Sequence, residues 1–166
     1  MKVTLQLSQG SIRDARERIQ EYKGTLNSKL KQFVEELADY GISVAEQNTG
    51  AWGKHIEFVK EIEDTSVGCK AIMIMRDRDK VIPKHDLRPV SPSLMAEYGA
   101  GKWAVNGMRG TFPEQIHAND PMGWWYQGDD DKWHHSYGLR PTRPMYTAYG
   151  EMVNHINEVA KRVFGG

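Results

Sequence analysis

Residues 121–163 constrain the fold of this chain more than any other stretch. The aromatic run at 124–126 favours an extended strand, because large rings pack well on a pleated surface. The glycine and aspartates at 128–131 favour a turn, and aromatic residues resume at 133–137. This order of strand, turn and strand predicts a β-hairpin with an acidic tip.

An amphipathic helix is predicted to follow this hairpin. Pro141 and Pro144 disfavour helix at the residues before them, so the helix is expected to begin after Pro144 and to end at Gly165 and Gly166. The apolar residues recur with a period of about 3.6, which places them on one face. They are Met145, Tyr149, Met152, Val153, Ile156, Val159, Ala160 and Val163.

The N-terminal third predicts one strand and two helices. Residues 1–7 alternate between apolar and polar side chains, as a half-buried strand does. A first helix, capped at Ser11, is expected to end at Gly24, and a second, capped at Thr25, to reach about Gln47. Gly41 predicts a kink or break in that second helix, because glycine destabilises a helix by about 1 kcal/mol.

The middle of the chain predicts another hairpin and then irregular structure. Residues 55–62 and 67–75 are strand-like and are separated by a short polar turn. The second of these strands is apolar on both sides, which favours a central position in a sheet. Residues 94–98 are interpreted as a further strand, and the glycine-rich stretch 99–123 as a long irregular loop that is mobile or ordered by a partner.

Length and charge limit the class of protein. The 166 residues predict a single domain covering 1–166, and the 22 basic residues balance the 22 acidic ones. A neutral chain offers no electrostatic argument for binding nucleic acid or an anionic membrane. No apolar run approaches about 20 residues and no signal peptide is evident, so we expect a cytosolic origin and no membrane span. Cys69, the only cysteine, is expected to be an inert strand residue.

The densest polar cluster suggests one catalytic alternative. Asp129, Asp131, His134 and His135 supply oxygen and nitrogen ligands for a small metal-dependent nuclease or hydrolase. Neither H-E-x-x-H nor C-x-x-C spacing is present, and adjacent histidines on a strand point to opposite faces. We therefore expect a solvated turn without catalytic, cofactor-binding or metal-binding residues.

Aromatic side chains are the better candidates for function. Aromatic residues are enriched in the centres of protein interfaces. Trp124 and Trp125 must point to opposite faces of their strand, so one is expected to be buried in the domain and the other to meet a neighbour. The candidate interface residues are Trp103, Phe112, Trp124, Trp125, Trp133, Tyr137 and Tyr146.

Several of these residues also carry a resemblance to a known family. The sequence looks like that of the small head–tail joining proteins of long-tailed bacteriophages and prophages, known as neck, tail-completion or minor capsid proteins. The likeness covers most of the chain and is strongest over residues 97–149. Its motifs are an EYG strand (Glu97–Gly99), a GTFP loop (Gly110–Pro113), a WWY strand (Trp124–Tyr126), an H-S-x-G turn (His135–Gly138), a proline-aromatic link (Pro144–Tyr146) and a final helix (147–163).

The resemblance implies an α+β fold in which an antiparallel sheet carries N-terminal helices and a C-terminal amphipathic helix. It also implies a virion protein, made in the bacterial host cytoplasm, that forms a ring at the head–tail junction as a hexamer or dodecamer. We expect this protein to be non-enzymatic, because the sequence assembles no active-site constellation. The ring would contact other connector and tail proteins, with residues 76–92 and 99–123 engaging neighbours, and DNA would pass through it without specific binding. A host-encoded interaction module with a borrowed fold is a further alternative.

Overall fold

The computed structural model describes residues 9–66, 68–82, 89–105, 112, 115–118, 120–128 and 130–165. It has the predicted α+β fold, with two long helices, one short helix and three small antiparallel sheets. The elements are α1 (Gln9–Gln47), a 3₁₀ helix (Gly50–His55), β1 (Ile56–Thr65), β2 (Gly68–Asp77), α2 (Pro92–Tyr98), β3 (Ala100–Gly101), β4 (Trp124–Gln127), β5 (Trp133–Ser136), β6 (Gly138–Leu139) and α3 (Pro144–Phe164).

The predicted pair of N-terminal helices is wrong, because α1 is a single helix of 39 residues. Gly24 lies inside it, and Thr25 donates its hydroxyl to the carbonyl of Glu21 at 3.1 Å instead of capping a new helix. The predicted kink at Gly41 does not divide α1 either. Gly41 is buried, and an added Cβ there would meet the sulfur atoms of Met152 and Met73. The predicted strand at residues 1–7 lies outside the described residues.

The first hairpin is confirmed. Among the described residues β2 pairs with β1 only, from Ile56 opposite Asp77 to Thr65 opposite Gly68, and so it is not central there. α1 packs against this hairpin, and this contact accounts in part for the apolar residues on both sides of β2. Lys60, which interrupts the apolar pattern of β1, faces the same helix and donates to Asp39 at 2.7 Å. That hydrogen bond raises the pKa of Lys60.

The predicted strand at 94–98 is wrong, because these residues form α2. Ser91 is the N-cap and its hydroxyl oxygen accepts from the amide of Leu94 at 3.3 Å, while Pro92 occupies the first turn. Gly99 ends the helix with a positive φ of 69°. The EYG motif is therefore a helix end. The loop predicted at about 99–123 also contains β3, which pairs with β6.

Glu97 joins α2 to the start of α3. Its carboxylate accepts hydrogen bonds from the amides of Met145 at 2.9 Å and Tyr146 at 3.1 Å. These amides belong to the first turn of α3, where amides have no partner within the helix and negative charge is favoured. The carbonyl of Ala96 accepts from the amides of Thr142 and Arg143, which fixes the same junction.

The C-terminal helix forms where the sequence predicts it, but its apolar residues divide into two stripes. Val159 and Val163 are buried, and α3 packs along α1 through this side. The predicted members Tyr149, Val153 and Ile156 are exposed instead. The buried residues and the exposed residues lie on adjacent sides of α3. A single partner helix is too narrow to cover both sides, so the second group stays exposed. No helix in the described residues has the length and hydropathy of a membrane span.

The end of β2 is tied to α2 by a carboxylate. Asp77 accepts from the amide of Ser93 at 2.7 Å and from Lys80 at 2.7 Å, and its side chain is nearly buried. Burial by itself raises the pKa of Asp77. The hydrogen bonds from Lys80, Ser91 and Ser93 outweigh that effect and hold the pKa below its usual value.

We expect Asp77→Asn to lower the free energy of unfolding by about 1–2 kcal/mol at neutral pH. Because the folded-state pKa is depressed, the contribution of Asp77 is complete above the unfolded-state pKa of about 4 and is lost as the pH falls through the folded-state pKa. The difference between wild type and variant should therefore shrink at acidic pH. Urea unfolding across a pH series measures it, with exposed Asp64→Asn as the control. A difference independent of pH would contradict this assignment.

Candidate functional site: an exposed aromatic face

The predicted aromatic hairpin forms from β4 and β5. Trp125 lies opposite His135, and Gln127 opposite Trp133. The turn between the strands is closed by hydrogen bonds from the amide of Gly128 to the carbonyl of Lys132 and back from the amide of Asp131 to the carbonyl of Gly128. This geometry confirms the hairpin and places aspartates at its tip.

One side of the hairpin carries a group of aromatic residues, here called the aromatic face. Its four residues are Trp125, Trp133, His135 and Tyr137, which share one side because strand residues alternate. The side chains of Trp125, Trp133 and Tyr137 are 65%, 67% and 60% exposed. The ring of His135 meets the rings of Trp125 and Tyr137 edge to face, with centroids 4.9 and 4.7 Å apart.

The other side of the hairpin anchors it to the domain. Trp124 stacks on His117 with ring centroids 4.0 Å apart, and it packs against the core cluster that contains Val90, Met95 and Ala100. Trp124 is thus half-buried against the domain, and the contact of Trp125 with a neighbour stays a prediction. Because Trp124 is held by the core, the hairpin presents the aromatic face outward on a fixed support.

The other predicted interface residues are divided between internal contacts and the surface. Trp103 is half-buried beneath the guanidinium of Arg140, which lies 3.8 Å from its ring centroid. Phe112 is half-buried and stacks on Tyr98 at 5.3 Å. Tyr146 is exposed on α3. Trp125, Trp133, Tyr137 and Tyr146 are therefore the candidates with accessible rings, and the first three lie together.

The alternative metal cluster does not converge within the described residues. His134 and His135 lie on opposite sides of β5, and no group of three or more potential ligands occurs in the described ranges. Asp129 is outside those ranges. Asp130 lies 2.8 Å from His134. The hydrogen bond from His134, with a further one from the amide of Lys132, lowers the pKa of Asp130, so this tip carboxylate is ionised at neutral pH.

A shallow cavity of about 430 Å³ lies between the end of α1 and β1. Two of the polar side chains that line this cavity form hydrogen bonds within the fold. The Thr49 hydroxyl donates to the carbonyl of Glu46 at 2.9 Å, and the Glu57 carboxylate accepts from Arg76 at 2.8 Å. The aromatic face is the stronger candidate site, because Trp125, Trp133 and Tyr137 are each more than half exposed and lie together.

Sequence reasoning missed one further exposed surface, on the N-terminal half of α1. Ile12, Ile19 and Tyr22 form an apolar stripe on α1, yet they are exposed together with Leu26. The sequence offered no local signal for this, because charged residues border the apolar stripe of most amphipathic helices, whatever covers the stripe.

No protein-family model, curated protein or solved structure matches this chain. The family resemblance therefore depends on the sequence motifs alone.

Proposed function

We propose that this protein is a structural, non-enzymatic virion protein of a tailed bacteriophage or prophage. It acts as a head–tail connector, neck or tail-completion protein and assembles as a ring, hexameric or dodecameric, at the head–tail junction. The observation that carries the proposal is the exposed aromatic face at Trp125, Trp133, His135 and Tyr137. The role of the aromatic face is binding. It holds copies of the chain and neighbouring connector and tail proteins together around the channel through which DNA passes.

The physical properties of the aromatic face favour binding over catalysis. Burying apolar surface contributes about 25 cal/mol per Å², and tryptophan and tyrosine dominate the energetics of many interfaces. Three such rings, with more than half of each exposed, form a patch of the kind that marks a protein interaction site. The neutral net charge of the chain does not oppose association between copies.

The family-like motifs support the proposal through their places in the fold. Glu97 caps α3 through the amides of Met145 and Tyr146, so the EYG and proline-aromatic motifs meet at one junction. Trp124 of the WWY motif packs against the core, while Trp125 is left outside. The motif residues thus hold together the frame that presents the aromatic face, which is the arrangement expected of an assembly protein.

Deletion of the gene from the phage or prophage that carries it is expected to give filled heads and separate tails. Complementation with wild type should restore infectious particles, whereas Trp125→Ala/Trp133→Ala should not, because the interface loses its main rings. The control is Tyr149→Ala/Val153→Ala, which removes exposed apolar area from α3 instead. Plaque counts and electron microscopy of lysates measure the outcome. Normal infectious particles from the deletion would refute the proposed function.

A further inference from the structure

The N-terminal half of α1 extends beyond the rest of the domain. α3 packs along α1 only as far as the contact between Phe164 and Phe33, whose ring centroids are 5.7 Å apart. Every residue from Arg16 to Ser28 is exposed. Residues 9–28, here called the arm, form about 30 Å of helix at 1.5 Å per residue. Helices of this length are marginal in water without a packing partner, and Gly24 weakens this one further.

The arm carries a narrow apolar stripe whose large side chains are exposed. Ile12, Ile19, Tyr22 and Leu26 are 56%, 55%, 55% and 39% exposed, while Ala15, which completes the repeat, is only 8% exposed. The spacing of three and four residues is that of a seam which packs against one elongated partner. A helix that lies on a membrane presents a wider apolar face, so the stripe favours a protein partner.

The charged residues beside the stripe limit the kinds of surface that can bind the arm. At about 100° per residue, Arg16 and Lys23 border the stripe on one side and Arg18 borders it on the other, while Glu17 and Glu21 lie on the opposite side of the helix. Two arms packed stripe to stripe would place like charges against each other on both borders. The complementary partner is an apolar surface that is acidic or rich in aromatic rings, since rings attract cations over their faces.

We propose that the arm of one copy docks on the aromatic face of the next copy. The aromatic face has three exposed rings that accept Arg16, Arg18 and Lys23, and its tip presents exposed Asp130 and Asp131. Both surfaces are exposed within one chain, so neither covers the other there. The contact joins two different patches and can close into a ring, which identifies the subunit interface of the function proposed above and rests on it.

Two double variants test the contact. Arg16→Glu/Lys23→Glu on the arm and Trp125→Ala/Trp133→Ala on the aromatic face are each expected to weaken self-association of the full chain by at least about tenfold. Analytical ultracentrifugation of the purified proteins measures it. Arg13→Glu/Lys31→Glu is the matched control, because it makes the same charge change at exposed positions on the far side of α1. Circular dichroism verifies that each variant is folded.

Mixing the two defective variants gives the decisive result. The arm variant retains an intact aromatic face and the face variant retains an intact arm, so an equimolar mixture should form one-to-one dimers that grow no further. A mixture that stays monomeric, an arm variant that associates like wild type, or a wild-type chain that never self-associates would each overturn the inference. The proposed function is judged separately, by the particles that the deletion produces.

Discussion

Replacing Gly138 with alanine is expected to produce a large loss of stability, although it adds only a single methyl group. Gly138 has a φ of 116°, which L side chains rarely adopt, and an added Cβ would collide with the backbone carbonyl oxygen of Ala100. Neither atom can move without breaking the pairing of β3 with β6. We expect the free energy of unfolding to fall by on the order of 3–4 kcal/mol.

Urea unfolding of Gly138→Ala measures this loss, and Gly150→Ala provides a control with the opposite sign. An added Cβ at Gly150 meets nothing within 4 Å, and the residue lies on the exposed side of α3. Alanine there should raise the free energy of unfolding by up to about 1 kcal/mol, because it is the better helix former. A Gly138→Ala protein as stable as wild type would show that the close approach of β3 and β6 is wrong.

Val159→Asp is expected to release α3 from α1. Val159 is fully buried at 0% exposure, and an aspartate there would be an unpaired charge in an apolar contact. We expect a loss of on the order of 4 kcal/mol, a large part of the 5–15 kcal/mol by which domains of this size are stable. Thermal unfolding followed by circular dichroism should show a much lower midpoint.

Val153→Asp is the matched control for that experiment. Val153 belongs to the same predicted apolar face, yet it is 52% exposed on the outer stripe of α3. The same substitution should change the free energy of unfolding by no more than about 0.5 kcal/mol. Equal losses at the two positions would mean that the outer stripe is also packed within the domain.

Local patterns predicted the elements whose signals are strong over short distances. The alternation in β1 and the aromatic run of β4 and β5 identified both hairpins, because strand periodicity and turn-forming residues act within a few positions. The start of α3 follows from Pro144, which permits a first helical turn and prevents an earlier one. The acidic tip follows from the turn-forming aspartates, and the opposite orientations of Trp124 and Trp125 follow from strand alternation.

Other predictions failed where two local signals compete. Residues 94–98 alternate as a strand does, but Ser91 and Pro92 supply a helix start, and the contacts of Asp77 and Glu97 favour the helix. Glycine at position 24 disfavours a continuous α1 by about 1 kcal/mol of helix stability. The helix-forming residues on either side outweigh that amount. The length of α1 therefore differs from the prediction.

The candidate site was only partly accessible to sequence reasoning. The list of aromatic residues included Trp125, Trp133 and Tyr137, but nothing local separates these from Trp103 and Phe112, which make internal contacts. The arm was missed as a surface because an apolar stripe has the same pattern whether its own domain or another molecule covers it.

The sequence by itself determined the two hairpins and the C-terminal helix, because these depend on periodicity, turn residues and prolines, and its resemblance to a known family implied the α+β class. Only the tertiary structure decided which apolar stripes are covered. Val159 is buried and Val153 is exposed although both fit one amphipathic pattern, since a helix is covered only where another element reaches it. For the same reason α1 is covered beside α3 and exposed along the arm.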